Sequence, residues 1–202
     1  SSALTEEMIS KGIDIRFGEN ISSIEGKTDS LCIKTNLNKD IYSNGLLFAT
    51  GREPFLNGLN LELAGVESVE NRIKVDSESK TNISSIYAIG DVTNRINLTP
   101  VAIDEGRSFA DRAFAKMNRK VNYDLVPYAV FSQPEIASIG MTEESAYDNM
   151  GKENIKVYRS TFRPLSKSIP KKGPKCILKL IADNHNNKVL GCNMIGENAS
   201  EI

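Results

Sequence analysis

The sequence has few of the residues that disulfide frameworks and metal clusters require. Among its 202 residues are three cysteines and one histidine. Cys32, Cys176 and Cys192 form neither a C-x-x-C nor a C-x-x-x-x-C pair. An odd, sparse cysteine count is typical of a reducing compartment, so we expect a cytoplasmic protein. A single histidine makes a Cys/His metal site an unfavourable interpretation, and none is predicted.

The sequence also lacks a strong net charge and long apolar runs. Lys and Arg number 25 against 26 Asp and Glu, a net charge of −1, which disfavours a nucleic-acid or anionic-membrane partner. No apolar run reaches the roughly 20 residues that span a bilayer, and the N-terminus lacks a signal-peptide layout. The chain is 40% hydrophobic and 25% charged, as expected of a globular rather than a disordered protein.

The first 120 residues alternate strand and helix patterns. A helical pattern over 2–11 stops at Gly12. The continuously apolar segment 45–49 predicts a strand covered on both faces. Thr99 predicts the N-cap of a helix over 100–117, with Pro100 in its first position. That helix has an apolar stripe that includes Ala102, Phe109, Ala113 and Met117. Further strands are predicted at 13–17, 20–25, 31–36, 72–76 and 83–89.

The pattern changes near 121–127. Beyond it, apolar and polar residues alternate in several short runs, and Thr142 begins a helix. A polar turn over 183–187 separates two of the runs. We therefore predict an α+β region with a mostly antiparallel sheet, and the start of a helix within 196–202. Its strands are predicted near 128–131, 136–141, 155–162, 175–182 and 188–195.

The strongest single candidate for a binding site is the end of the strand predicted at 83–89. There Gly90-Asp91 closes an apolar run, and a helix begins eight residues later at Thr99. Ligands of open α/β sheets bind at the carboxyl ends of strands. A carboxylate there accepts hydrogen bonds from ribose or ribityl hydroxyls, and a helix N-terminus stabilises an anion or an electron-rich ring. An ordinary Gly-Asp turn before an ordinary helix is the alternative.

Six short sequence blocks follow one another in a distinctive order. They are Ala49–Pro54, Val75-Asp76 with Thr81, Tyr87–Val92, Leu98–Arg107, Val126-Pro127 with Val130–Glu135, and Ser138–Gly140. In this order they resemble the later half of the pyridine nucleotide-disulfide oxidoreductase family, and the resemblance covers essentially the whole chain. Leu98–Ile103 followed by Glu105–Arg107 is similar to the glutathione reductase branch rather than to dihydrolipoamide dehydrogenases.

The resemblance implies an α/β plus α+β architecture made of parts of three domains. Residues 1–50 would be the end of an NAD(P)H-binding domain and 51–122 the returning part of an FAD-binding domain. Residues 123–202 would be a truncated interface domain, which forms homodimers in the family. The implied cofactors are FAD and NADPH, and the implied substrate is glutathione disulfide.

The resemblance also implies roles for individual residues at the flavin. Asp91 would hydrogen-bond the FAD ribityl chain. The backbone at Thr99 would face the flavin pyrimidine edge and stabilise the charge that builds up on reduction. Arg107, two turns into the helix, would bind a carboxylate of glutathione disulfide through its planar fork. An exposed helix arginine without a partner is the alternative for Arg107.

Four further residues are implied near the nicotinamide nucleotide. Gly51 lies where the family's backbone passes NADPH. Arg52 would brace that loop and pair with Asp91, or would be a plain turn residue. Asn97 and Ala129 fall near the nicotinamide by the same alignment.

The groups that perform the family's chemistry are not in this sequence. It contains no G-x-G-x-x-G loop, no C-x-x-x-x-C pair and no His-Pro. No catalytic residue is predicted, and we expect a fragment that is inactive alone, which begins inside the NADPH domain and stops inside the interface domain. A fragment of dihydrolipoamide dehydrogenase or mercuric reductase, or a non-catalytic dimerising module, are the alternatives.

Other reactive residue types have ordinary interpretations. His185 lies in a polar turn and is expected to be exposed. The three cysteines lie on predicted strands and are expected to be small buried hydrophobes. A local basic stretch is interpreted as a solvated loop, since no aromatic residues are interleaved with it. It consists of Arg163, Lys167, Lys171, Lys172 and Lys175.

Overall fold

The computed structural model describes residues 2–27, 29–37, 39–168, 173 and 175–202. The chain forms two compact units, Ser1–Leu47 with Asp124–Ile202, and Phe48–Tyr123. We call these the sheet unit and the loop unit. Both contain helix and strand, in agreement with the predicted α/β character. The division into three domains stays a prediction.

Four α-helices and ten strands are formed by the described residues. The helices are α1 (Ser2–Ser10), α2 (Thr99–Phe114), α3 (Glu143–Met150) and α4 (Leu165–Ser168). The strands are β1 (Ile21–Lys27), β2 (Ser30–Thr35), β3 (Asp40–Ser43), β4 (Ser68–Val69), β5 (Arg72–Ile73), β6 (Tyr128–Val130), β7 (Glu135–Gly140), β8 (Ile155–Phe162), β9 (Cys176–Asp183) and β10 (Val189–Gly196).

The larger sheet of the sheet unit has the order β6-β7-β10-β9-β8. Every neighbouring pair is antiparallel, as the sequence predicted. Its core joins Ile155 and Ile181 to Ala146 of α3. Thr142 caps α3, because its hydroxyl accepts the Ser145 N–H at 3.1 Å. The helix ends at Met150 and is followed by its C-cap Gly151, whose φ of +82° favours glycine.

The smaller sheet of the sheet unit has the order β1-β2-β3. The first two strands agree with the predicted ones. The third was missed, because four residues with polar ends are too short to show an alternating pattern. Its Ile41 lies opposite Ile33, which is buried.

Three strand predictions were wrong. Residues 13–17 and 45–49 form no strand, and 83–89 contributes only a single bridge between Lys80 and Tyr87. The apolar run at 45–49 is not covered on both faces, since Leu47 is 87% exposed. A strand needs a hydrogen-bonded neighbour as well as an apolar sequence. Within the described ranges these segments pair with no other strand, and the strand predicted at 72–76 is reduced to β5.

Helix α2 also departs from its prediction at both ends. Leu98 is the N-cap, so Thr99 is the first helical residue rather than the cap, and Phe114 is the last. The predicted apolar stripe is not the buried face, because Ala113 and Met117 are exposed. The buried residues are Val101, Glu105 and Ser108, and two of the three are polar.

The remaining reactive residues behave mostly as expected. His185 is exposed, with its Nε2 2.8 Å from Asn154 Oδ1. All three cysteines are free, but only Cys176 is fully buried, and burial raises the pKa of its thiol. No group of three or more metal-ligating side chains occurs in the part of the chain that the structure describes. None of the described helices is long and apolar enough to cross a membrane.

The predicted basic stretch is not simply a solvated loop. Leu165–Ser168 forms α4, and Lys167 pairs with Glu197 at 3.7 Å. Arg163 is half-buried. Lys171 and Lys172 lie outside the described residues.

Candidate functional site

The candidate site lies in the loop unit, where a tight turn leads into α2. Gly90–Thr93 forms one turn of 3-10 helix. Gly90 has a φ of +71°, and a Cβ there would lie 3.0 Å from the Cβ of Ala102 in α2. Glycine is therefore needed both for the backbone conformation and for the close approach of the turn to the helix.

Side chains of the turn itself hold its shape. The Thr93 hydroxyl donates to the Gly90 carbonyl at 2.8 Å. Asn94 follows with a φ of +50°, and its N–H donates to the Asp91 carbonyl at 3.0 Å. The Asn97 amide then donates to the Asn94 side-chain oxygen at 2.8 Å. The loop from Gly90 to Asn97 is thus ordered by its own hydrogen bonds.

Asp91 presents its carboxylate to solvent at this turn. Its side chain is 47% exposed, and its Oδ2 lies 3.7 Å from Nη2 of Arg52. Arg52 is 83% exposed, so the ion pair is screened by water and leaves much of the carboxylate accessible. Asp91 can therefore accept hydrogen bonds from hydroxyl groups of a ligand.

The N-terminus of α2 offers donors beside the loop. Thr99 and Pro100 are exposed, and no described side chain caps the first turn. The first N–H groups of a helix have no partner within the helix and carry a partial positive charge. Pro100 has no N–H to offer, and the Ala102 N–H donates to the Leu98 carbonyl at 3.1 Å, so Thr99 and Val101 provide the available donors.

The other predicted residues are placed as follows. Gly51 is exposed with a φ of +131°, a conformation that L side chains rarely adopt. Arg107 is exposed on α2, and within the described ranges it makes no ion pair. Ala129 lies in β6 opposite Ala137, in the sheet unit. The structure thus brings Asp91, Arg52, Asn97 and Thr99 together around one loop, and Ala129's predicted place near the nicotinamide stays a prediction.

Sequence reasoning missed a buried polar network beneath this loop. Glu105, only 2% exposed, accepts the Gly90 N–H through Oε2 at 2.6 Å. Its Oε1 accepts the Tyr123 hydroxyl at 2.7 Å and lies 3.8 Å from Nη1 of Arg95. Burial and the bond to Glu105 raise the pKa of Tyr123, so its phenol remains a donor.

A signal for this network was present in the sequence. Glu105 and Ser108 follow Val101 at spacings of four and seven residues, which puts all three on one helix face. The structure buries this face, although Val101 is its only apolar member among the three, and a buried carboxylate requires partners.

Comparisons with known proteins match nearly the whole chain. The family described as pyridine nucleotide-disulphide oxidoreductase matches residues 1–106, and its dimerisation domain matches residues 126–202. The glutathione reductase of Burkholderia cepacia is 39% identical over 200 residues, which are 98% of this chain and 44% of that protein. The chloroplastic/mitochondrial glutathione reductase of Pisum sativum is 41% identical over 95% of this chain and 35% of its own length.

Two further similarities bear on substrate and fold. The trypanothione reductase of Trypanosoma congolense is 40% identical over 98% of this chain and 41% of its own length. A solved structure, the HOCl-induced flavoprotein disulfide reductase RclA from Escherichia coli, matches with a TM-score of 0.89 at 25% identity. That match covers 99% of this chain and 46% of RclA. The chain spans somewhat less than half the length of these relatives.

Proposed function

Since the chain belongs to the pyridine nucleotide-disulphide oxidoreductase family, we propose that it is the later half of an FAD-dependent, NADPH-dependent glutathione-disulfide reductase. The single observation that carries this proposal is the half-exposed Asp91 carboxylate just before the uncapped N-terminus of α2. The glutathione reductases at 39–41% identity support the choice of substrate.

The donor set at this loop fits a flavin cofactor. Asp91 would accept hydrogen bonds from the ribityl hydroxyls, which suits a half-exposed carboxylate whose ion pair with Arg52 is screened by water. Backbone N–H groups at Thr99 and Val101 in the first turn would face the electron-rich pyrimidine edge of the isoalloxazine ring and stabilise the charge that builds up there on reduction. Bound FAD would supply hydride and electron transfer between NADPH and a disulfide.

The remaining predicted residues act on nucleotide and substrate. Gly51 lets the backbone pass close to NADPH, because it has no side chain and adopts a positive φ. Arg52 braces this segment through its pair with Asp91, and Asn97 faces the nicotinamide. Arg107 binds a carboxylate of glutathione disulfide. Its guanidinium is exposed and forms no ion pair with any residue that the structure describes, which supports that role.

We further propose that the complete protein is a cytoplasmic homodimer with domains at 1–50, 51–122 and 123–202. The match of residues 126–202 to the dimerisation domain supports the dimer. The 202-residue chain alone is expected to be inactive, because it lacks a C-x-x-x-x-C pair and both Gly-rich loops. Stoichiometric FAD retention with glutathione disulfide reduction by this chain alone would contradict that expectation.

The flanking coding sequence and one assay test the proposal. A cysteine pair encoded before Ser1 and a His-Pro after Ile202 are expected. The complete protein should oxidise NADPH with glutathione disulfide faster than with lipoamide or mercuric ion. Trypanothione disulfide belongs in the same assay because of the trypanothione reductase relative. Faster turnover of lipoamide would refute a glutathione reductase and favour a dihydrolipoamide dehydrogenase.

A further inference from the structure

Glu105 is the most deeply buried ionisable side chain near the candidate site. Its side chain is 1% exposed, and it projects from the second turn of α2 toward the loop before the helix. A carboxylate in this position is costly unless each oxygen has a hydrogen-bond donor. Both oxygens have one, so the residue is held in a single arrangement.

The two oxygens bind different parts of the loop unit. Oε2 accepts the Gly90 N–H at 2.6 Å, and Oε1 accepts the Tyr123 hydroxyl at 2.7 Å. Arg95 supplies the compensating positive charge, with Nη1 3.8 Å from Oε1 and 3.0 Å from the Tyr123 oxygen. Its guanidinium carbon also lies 5.7 Å from the centre of the Tyr123 ring. Glu105 thus joins α2, the turn and the segment after the helix.

The bond to Gly90 has a direct consequence for Asp91. Gly90 is the first residue of the turn Gly90–Thr93, and Asp91 follows it directly. Gly90 also packs closely against Ala102 of α2, the helix that bears Glu105. Thr99 lies six residues before Glu105 on α2, roughly 9 Å along the axis of one rigid element. Glu105 therefore fixes the turn that bears Asp91 relative to the helix end that bears Thr99.

We propose that Glu105 is a positioning residue that sets the Asp91 carboxylate relative to the N-terminus of α2 by binding the Gly90 N–H. This inference rests on the proposed flavin role of Asp91 and Thr99. Glu105 does not contact the cofactor, because its oxygens are buried and occupied by protein donors. Removing its carboxylate frees the turn to move and weakens flavin binding while the predicted flavin contacts stay chemically intact.

Four variants of the complete flavoprotein that contains this chain test the proposal. E105A removes the acceptor. E105Q keeps a carbonyl oxygen that can accept the Gly90 N–H, and its amide NH2 can donate a hydrogen bond to the Tyr123 oxygen. S108A is the matched control, because Ser108 is 1% exposed on the same helix face, yet its hydroxyl bonds the Arg119 carbonyl rather than the turn. D91A reports the loss of the proposed ribityl contact itself.

Two readouts separate positioning from general destabilisation. One is the dissociation constant for FAD together with the absorbance spectrum of bound flavin. The other is the hydrogen-exchange rate of the segment that contains Gly90, measured by mass spectrometry on the same complete protein after FAD has been removed. The expected result for E105A is FAD affinity weaker by about tenfold or more, an altered flavin spectrum and faster exchange in this segment. E105Q should remain within about threefold of wild type, and S108A should keep FAD affinity and the exchange rate of the segment.

The outcomes distinguish this inference from the proposed function. If E105A binds FAD like wild type while D91A loses it, the positioning role is overturned. The same follows if S108A loses FAD as strongly as E105A, since the effect is then general stability. If the wild-type protein takes up no FAD at all, the proposed function fails, and with it the flavin role of Glu105.

Discussion

The core around Ile181 and the network around Glu105 lie in different units and are stabilised by different forces. Ile181 and Ala146 have no exposed surface, and the residues packed around them in the sheet unit are mostly apolar. In the loop unit, two of the three buried positions of α2 are polar. Burial of apolar area is non-directional and depends on volume, whereas a buried carboxylate depends on the number and placement of its donors.

This contrast shows which interactions hold the residues of the candidate site in position. An apolar core tolerates small shifts of its side chains, but a hydrogen bond weakens steeply when its geometry changes. The turn that bears Asp91 is fixed by such bonds, to Glu105 and within the loop. The two regions should therefore respond differently to substitution, as the following predictions specify in order of decreasing effect.

Ile181→Ala should produce the largest loss of stability. The side chain belongs to β9 and is fully buried against Ala146 of α3 and Ile155 of β8, so its truncation leaves a cavity and costs about 2–5 kcal/mol. Urea unfolding followed by circular dichroism measures this change. Ile9→Ala, the same substitution at a 54% exposed position of α1, is the control and should change stability by less than about 0.5 kcal/mol. Equal effects at the two positions would contradict the apolar core described for the sheet unit.

Tyr123→Phe should produce the second-largest loss of stability. The ring stays, but Glu105 Oε1 loses a donor at 2.7 Å, and leaving a buried acceptor unpaired costs about 1–3 kcal/mol. Thermal unfolding of the variant measures the loss. In Tyr158→Phe, the matched control, the side chain is 52% exposed and its hydroxyl has no hydrogen bond among the described residues. If Tyr123→Phe left the stability of the protein unchanged, the polar network would not stabilise the loop unit.

Glu143→Gln should have a smaller, pH-dependent effect. The Arg159 guanidinium, with Lys179 and Tyr147, lowers the pKa of Glu143 despite its partial burial. A depressed folded-state pKa contributes stability above the usual value near 4.3, and that stability is lost as pH falls through the folded pKa. The free energy of unfolding of the variant should therefore be lower by on the order of 1 kcal/mol or less at pH 7. It should also fall less steeply than that of the wild type as the pH is lowered toward 3.

Unfolding in urea between pH 7 and pH 3 checks the Glu143 prediction. The corresponding carboxylate in the loop unit is Asp76, whose pKa is lowered by hydrogen bonds from the backbone N–H groups of Lys80 and Glu78. Asp76→Asn should flatten the acid limb with the same sign, although its partners are backbone donors rather than cations. An acid limb that is unchanged in Glu143→Gln would show that this cluster does not contribute to stability.

Arg52→Ala should have the smallest effect on stability. Its ion pair with Asp91 is 3.7 Å long and the guanidinium is 83% exposed, so the change is expected to be below about 0.5 kcal/mol. Thermal unfolding checks this expectation. A loss as large as that of Tyr123→Phe would mean that the pair, rather than the buried network, holds the turn.

Local sequence patterns predicted most of the sheet unit. Alternation of apolar and polar residues located the strands of the large antiparallel sheet, and Thr142 marked the start of α3. These features depend on residues within a few positions of one another. The same reasoning failed at 13–17 in the sheet unit, at 45–49, which spans the boundary between the units, and at 83–89 in the loop unit. An apolar or alternating run does not reveal whether a neighbouring strand exists.

The candidate site was predicted only in its exposed part. The order of Gly90-Asp91 and the helix at Thr99 identified the loop, and the family resemblance proposed the pair of Arg52 and Asp91, which the structure places at 3.7 Å. Thr99 was assigned as N-cap, but the backbone at Leu98 is the last extended residue and Thr99 is already helical. A cap is defined by backbone angles at one residue, and the local pattern predicts its position only to within a residue or two.

The sequence by itself predicted the antiparallel pattern of the large sheet and the cap of α3 at Thr142, because each follows from short-range periodicity or from the preference of a single residue. Only the tertiary structure decided that Glu105 is buried and that its two oxygens bind Gly90 and Tyr123. These partners are 15 and 18 residues away along the chain. Their approach depends on how the loop folds back on α2, and the desolvation of a carboxylate is a property of all the groups that surround it.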